Sequence, residues 1–296
     1  MVLFTGLTGT SGSALIERMK SEKYSQHFKV ITRNEKELSL LMDNKLSYTP
    51  CVGDITDHGF LVESLKDVDI VFHIAAKGYI KEIASAVAEA KTVKHCIIVS
   101  STSIFSAHHS SSQKVIESES YMKDLFLRNN VDYTIIRPTM IYGTLKDGNI
   151  SIFIKWLDRF RFFPIVGKGS AMLQPVHRTD LAYAYFLILN NLELVKGKEY
   201  IVSGDRKVSL RELFNLILKS LGKNTVFINV PFGLAKLLVQ IAYKCFRVDY
   251  REQILRLNEN RAFDCDEIKN ELGYKPLPIE QHLSQLIGEY LKKETH

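Results

Sequence analysis

Three glycines near the start constrain this chain more than any other feature. Gly6, Gly9 and Gly12 follow directly on the short run Val2 to Thr5, which reads as a strand. Ser13 to Lys20 reads as a helix, so the glycines stand at a strand-to-helix junction. Each has a distinct reason to be there. Gly6 permits a tight turn, Gly9 lets the backbone approach a pyrophosphate, and Gly12 lets the helix pack close to the strand. Free N–H groups and the positive end of the helix then face the phosphates. Thr8, Thr10 and Ser11 belong to the same candidate cradle. The spacing is GxxGxxG, not the GxGxxG of many dehydrogenases, and an ordinary glycine-rich turn is the bland alternative.

The chain beyond this loop keeps a regular rhythm. Strand-like runs at Phe28 to Thr32, Tyr48 to Val52, from Asp69, from His95, and from Tyr133 to Pro138 alternate with helical patterns. Those patterns cover Glu35 to Met42, Asp57 to Leu65, Ile83 to Thr92 and Val115 to Arg128. Alternation of this kind predicts a parallel sheet with helices on both faces. The strands are apolar without polar alternation, as expected of strands buried on both sides. After Gly143 the rhythm breaks. An apolar helix is expected over Asp180 to Asn190, one more strand over Lys198 to Ser203, and a helix opened by the capping box Ser209–Glu212. From about Thr225 the pattern reads as mainly helical. The fold class expected is therefore α/β: a Rossmann-type doubly wound parallel sheet with a smaller, mainly helical C-terminal substrate domain. Residues 1–144 with about 176–204 would form the first domain, and about 145–175 with 205–296 the second.

Composition excludes several classes. With 46% apolar and 24% charged residues in 296, the chain is an ordinary globular one. The net charge of +6 favours anionic small molecules, but no Lys/Arg tract argues for nucleic acid. Cys51, Cys96, Cys245 and Cys265 form no CxxC pair and read as reduced thiols in a cytoplasmic protein, Cys96 as core filling. No metal site is expected, since His108 and His109 alone are a poor ligand set. No signal peptide is visible at the N-terminus. The apolar stretch Val230 to Val248 is interrupted by Lys236, Lys244 and Arg247. It reads as a buried amphipathic helix, and peripheral membrane contact is not expected.

The second strand ends Thr32-Arg33-Asn34, where an acid meeting ribose hydroxyls is common. Arg33 is suited to a 2′-phosphate, which favours NADP, with NAD the alternative.

Ordered landmarks extend along nearly the whole chain. They are Gly53-Asp54-Ile55, His73-Ile-Ala-Ala76, Val99-Ser-Ser-Thr102, Thr134-Ile-Ile-Arg-Pro138 with Ile141-Tyr-Gly143, Pro175 to Ala182, and Glu271 to Pro276. With the glycine loop they resemble the extended and atypical short-chain dehydrogenase/reductases, the NAD-dependent epimerase/dehydratase-like family. The resemblance implies that Asp54 and Ile55 border the adenine and that Ala75 and Ala76 line the cofactor. It implies a catalytic Ser101, Pro138 near the nicotinamide, and His177 and Asp180 in the segment returning from the substrate domain. A homodimer is implied in the same way.

The family's Tyr-x-x-x-Lys pair is where the match fails. Lys114 fits the lysine position best, but Ser110 stands four residues earlier. A serine hydroxyl is a poor acid/base without an activating partner. Tyr121 has Leu125 where a lysine would be needed, and Tyr79, after the fourth strand, is a substitute acid to consider. On the substrate side Trp156, Arg159, Arg161, Lys168, His177 and Arg178 suit an anionic or nucleotide-bearing small molecule, with Phe160, Phe162 and Phe163 either stacking on a ring or filling the core. Two functions stay open: an NAD(P)-dependent reductase, epimerase or dehydratase, and a non-catalytic NADP-binding sensor or assembly factor.

Overall fold

The computed structural model describes residues 1–43, 45–106, 112–235 and 259–294. Its first half is built from β1 (Val2–Thr5), α1 (Thr10–Ser21), β2 (Phe28–Thr32), α2 (Glu35–Met42), β3 (Tyr48–Val52) and α3 (His58–Ser64). It continues through β4 (Ile70–His73), α4 (Ile80–Ala90), β5 (His95–Val99), α5 (Gln113–Asn129) and β6 (Asp132–Pro138). The remaining elements are β7 (Ile141–Tyr142), α6 (Ile150–Arg159), β8 (Phe162–Val166), β9 (Met172–Leu173), β10 (Val176–His177) and α7 (Arg178–Asn190). They are followed by β11 (Glu199–Val202), β12 (Val208–Ser209), α8 (Leu210–Leu221), β13 (Val226–Val230), α9 (Asp266–Leu272) and α10 (Ile279–Glu294).

Seven strands form one sheet in the order β11-β6-β5-β4-β1-β2-β3. Every pairing in it is parallel. Order therefore reverses between β1 and β4, and a crevice opens beyond the carboxyl ends of those two strands. Successive side chains on a strand point to opposite faces. Phe4, Val30 and Phe72 accordingly pack on one side with Leu15 and Met19 of α1 and Tyr185 of α7. Leu3, Val71, Cys96 and Ile98 pack on the other with Ile83 and Val87 of α4 and Met122 and Phe126 of α5. Coverage on both faces is why these strands lack polar alternation.

Local signals place the helices. Asn34 caps α2 by accepting from Glu37 N at 3.2 Å, and Asp57 caps α3 by accepting from Phe60 N at 3.0 Å. Ser209 accepts from Glu212 N at 3.1 Å, but the Glu212 carboxylate turns to Arg206 at 2.6 Å. Only half of the expected capping box is thus used.

A third cluster joins α6, α8 and α10 through Ile154, Leu157, Leu213, Phe214, Leu283 and Ile287. The helical reading from Thr225 onward is corrected at its first residues: β13 pairs in parallel with β8, Val226 opposite Phe162. Most of the stretch 230–248, with Cys245, lies outside the described residues, as do His108, His109 and Ser110. Cys51, Cys96 and Cys265 are free thiols. Among the described residues no helix is long and apolar enough to cross a membrane.

Candidate functional site

The glycine loop turns as its residues require. Gly6 has φ +78°, and a Cβ there would lie 2.4 Å from the backbone N of Ala75, at the end of β4. A Cβ on Gly12 would lie 2.2 Å from Gly6 O and 2.6 Å from Leu7 Cα, so helix and strand touch through that missing side chain. Gly9 differs from both. It has φ −74°, ψ 174°, open to any residue, and its Cβ would meet only Gly6 O, at 3.3 Å. The protein's own packing thus demands Gly6 and Gly12. Gly9 is left facing outward at the N-terminus of α1, where a phosphate would approach.

Two cavities flank this loop and meet at Ala75. One, of 400 Å³, is lined by Gly6, Thr8, Arg33, Asp54, Ile55, Ala76 and Tyr79. The other, of 430 Å³, is lined by Ser11, Lys77, Ser100, Ser101, Pro138 and Arg261 among others. Thr5 and His73 join the two central strands between them, Oγ1 to Nδ1, at 2.8 Å. Burial pushes the His73 imidazole down to about 4, so it stays neutral.

In the first cavity the acid position after β2 is taken by a self-contained turn. Thr32 Oγ1 accepts from Asn34 N and donates to Asn34 O, both at 3.1 Å. Arg33 is exposed beside the Asp54 carboxylate. The backbone N–H and the hydroxyl of Thr56, each at 2.8 Å from Asp54 Oδ1, hold that carboxyl below its usual range, with Arg33 adding to the effect. Tyr79 lies here, half-buried, and not among the residues lining the cavity of Ser101.

The second cavity holds the chemistry-bearing groups. Ser101 follows β5, and its Oγ accepts from Ser103 N at 3.1 Å. Its hydroxyl hydrogen has no partner among the described residues. Lys77, from the turn after β4, donates to Ser103 Oγ at 2.9 Å. Thr102 Oγ1 donates to Pro138 O at 3.2 Å, tying the serine loop to the end of β6. Ser106 Oγ donates to Glu259 Oε2 at 2.8 Å, which brings the C-terminal part of the chain over the opening.

Helix α5 presents to this cavity neither a tyrosine nor a lysine among its described residues. Lys114 is exposed on the helix surface. Tyr121 is 42% exposed and sits 3.0 Å from Ser85 Oγ, away from the cavity. The group that α5 turns inward is Glu119, which sequence reasoning missed. It accepts from Ser100 Oγ and pairs with Arg137 at 2.6 Å, both charged side chains being 5% exposed. Arg137 also pairs with Glu199 at 2.7 Å, and Glu199 with Lys123. Lys77 was missed as well, because its neighbours Ala76 and Gly78 carry no sign of the fold that brings it to Ser103.

The expected substrate residues lie elsewhere. His177 and Arg178 line a separate basic cavity of 510 Å³ with Lys146, Lys292 and Lys293. His177 caps α7 and stacks on His282 at 3.8 Å between ring centroids. Burial, His282 and Arg178 push it down to about 3. Asp180 is buried in the first turn of α7 and accepts from His282 Nε2 at 2.9 Å. Lys168 sits exposed in a turn and lines none of these three cavities, and neither do Trp156, Arg159 and Arg161. Phe163 packs edge-on against Phe214 at 5.0 Å, whereas Phe160 and Phe162 are 44% and 63% exposed.

A parallel sheet that reverses its order over a glycine cradle defines a dinucleotide-binding protein. Comparison with known proteins agrees. The chain belongs to the NAD(P)H-binding family, whose family model matches residues 6–154, and it is an extended short-chain dehydrogenase/reductase-like protein. It is 24% identical over 255 residues to an uncharacterized protein of Sinorhizobium fredii, covering 76% of this chain and 63% of that one. It is 23% identical to a 2-alkyl-3-oxoalkanoate reductase of Shewanella oneidensis, over 81% of this chain and 75% of the relative. Among solved structures, the fold matches a dTDP-glucose 4,6-dehydratase of Streptomyces venezuelae crystallised with NAD. That likeness has a TM-score of 0.73 and 20% identity and covers 99% and 98% of the two chains. The chain spans only 63%, 46% and 44% of the length of three curated relatives that it matches.

Proposed function

We propose that this protein is an NADP-preferring oxidoreductase acting on a carbonyl or alcohol carbon of a small molecule held beside Ser101. The observation that carries the proposal is the meeting of the two cavities at Ala75. The glycine cradle lies beside that point, and the second cavity ends in a serine hydroxyl and a lysine ammonium. A bound NAD(P)H would supply the hydride, and this chain's residues would supply position and charge. Ser101 would donate its hydroxyl hydrogen, which has no partner among the described residues, to the substrate oxygen. Lys77 would stabilise negative charge developing there, the task preorganised cations and donors perform in such sites. Arg33 would meet a 2′-phosphate, and Asp54 the adenosine end.

The substrate is a small carbonyl compound or its alcohol. Two classes merit a first screen because relatives carry them in their names, 3-oxoalkanoates and nucleotide-linked sugars. The primary test is a calorimetric titration with NADPH and NADH on the wild type and on Arg33→Ala, followed by NADPH oxidation with both classes on the wild type and Ser101→Ala. Turnover lost in Ser101→Ala supports the reading.

One observation favours a second reading, a cofactor-binding protein without catalysis. Glu119 is locked between Ser100 and Arg137 on α5, the helix on which the resemblance leads one to expect the lysine of a Tyr-x-x-x-Lys pair. Tight NADPH binding with no turnover across the screen would select it.

A further inference from the structure

β8 and β13 form a two-stranded sheet with Phe162 opposite Val226 and Pro164 opposite Ile228. Alternate residues share a face. Phe163, Ile165 and Phe227 turn inward: Phe163 and Phe227 lie against Phe214, with ring centroids 5.0 and 6.0 Å away, and Ile165 is 1% exposed. A strand face turned to solvent is normally marked by polar residues alternating with the buried ones. Here it is Phe162, Pro164, Val226 and Ile228, all exposed. Trp156 of α6 and Phe160, the extended residue that ends that helix, continue it, with their rings 5.3 Å apart and about half of each residue in solvent. Apolar residues scattered singly over a surface need no explanation, but a contiguous group marks a contact surface.

Charge identifies the partner. The two segments 152–168 and 221–235 that build this face contain Lys155, Arg159, Arg161, Lys168 and Lys223 against a single acid, Asp158, which pairs with Lys223 at 2.6 Å. No described carboxylate pairs with the other four. Aromatic rings that bury among acyl chains, rimmed by cations that reach headgroups, suit the interface of an anionic bilayer. A twofold contact with a second copy would bring the two basic rims together, which disfavours it. The sequence alone gave no expectation of membrane contact, because it hid the pairing of β8 with β13.

We propose that the face formed by β8, β13 and the exposed side of α6 docks reversibly on anionic phospholipid surfaces. Trp156 is the only tryptophan in the chain, so its fluorescence reads this face directly. The full chain should float with vesicles of phosphatidylcholine and phosphatidylglycerol, with a blue-shifted Trp156 emission, and should bind pure phosphatidylcholine far less. Raised salt should release it. Arg159→Glu with Arg161→Glu should weaken partitioning by about thirtyfold or more, since each cation near such a surface adds roughly fivefold. Phe162→Ser with Ile228→Ser should weaken it on any vesicle. Both variants should bind NADPH like the wild type, which shows that they fold. The proposal is overturned if the chain fails to float, if the arginine reversal leaves partitioning unchanged, or if sedimentation shows a dimer that the Phe162/Ile228 variant dissociates.

Discussion

Replacing Gly9 by alanine should weaken cofactor binding roughly tenfold to hundredfold while leaving the fold nearly untouched. Gly9 caps α1 in an extended conformation, φ −74° and ψ 174°, which alanine adopts without strain. Its new methyl would meet one protein atom, Gly6 O at 3.3 Å, a contact relieved by a shift of a few tenths of an ångström. Removing glycine's freedom in the unfolded chain stabilises by roughly 0.4–1 kcal/mol, and the poorer cap costs a few tenths. The net change should stay within about 1 kcal/mol, or about 4 °C in Tm for a chain of this size. The methyl would nevertheless stand where the pyrophosphate of the proposed cofactor would approach the N–H groups of α1. Loss of a single hydrogen bond to a charged oxygen costs about 1.5–3 kcal/mol, which is roughly a tenfold to hundredfold rise in Kd. Gly12→Ala is the contrasting control. Its methyl would press into Gly6 O at 2.2 Å and Leu7 Cα at 2.6 Å, backbone atoms that do not yield. It should destabilise by about 1–3 kcal/mol or more. Calorimetric titration with NADPH and thermal unfolding, run together on both variants, decide the matter. If Gly9→Ala binds as the wild type does, or loses binding only in step with a Tm loss matching that of Gly12→Ala, the assignment of Gly9 to the phosphates is wrong.

Other expectations follow from the same geometry. Arg33→Ala should weaken NADPH at least about tenfold and leave NADH unchanged, since only a 2′-phosphate would use the guanidinium; equal losses for both nucleotides would remove the NADP preference. Glu119→Ala leaves buried Arg137 with Glu199 as its partner among the described carboxylates, so the lost charged hydrogen bond should cost about 1.5–3 kcal/mol and lower Tm by roughly 5 °C; a change under about 1 kcal/mol would show that the pair is structurally idle. Buried His73, His95 and His177 sit near 4, 4 and 3 against an ordinary 6.5. The unfolded chain takes up those protons first, so stability should fall as pH drops from 6.5 toward 4, on the order of 1.4 kcal/mol per pH unit per group. A Tm that stays flat or rises over that interval would contradict this. Lys77→Met should cut turnover more than it raises Kd for NADPH, and an unchanged kcat would take Lys77 out of the chemistry.

The sequence by itself determined the α/β rhythm, the strands β2 and β3 to the residue, and the cradle of Gly6, Gly9 and Gly12. These signals are local: apolar periodicity, capping side chains and glycines at a junction. It also showed that a tyrosine was missing from its expected place. Only the tertiary structure decided what stands around Ser101. Lys77 reaches that cavity through the turn after β4, and Glu119 is drawn inward by Arg137, a strand away. Tyr79 goes to the other cavity, and His177 and Arg178 to a third. The pairing of β13 with β8 likewise joins segments some 60 residues apart, and gives Val226 to Val230 a strand conformation in a region whose general pattern is helical. Local pattern reports which face of an element is apolar. Which neighbour covers that face, and which polar group is satisfied by which partner, depends on contacts distant in sequence that no window of residues encodes.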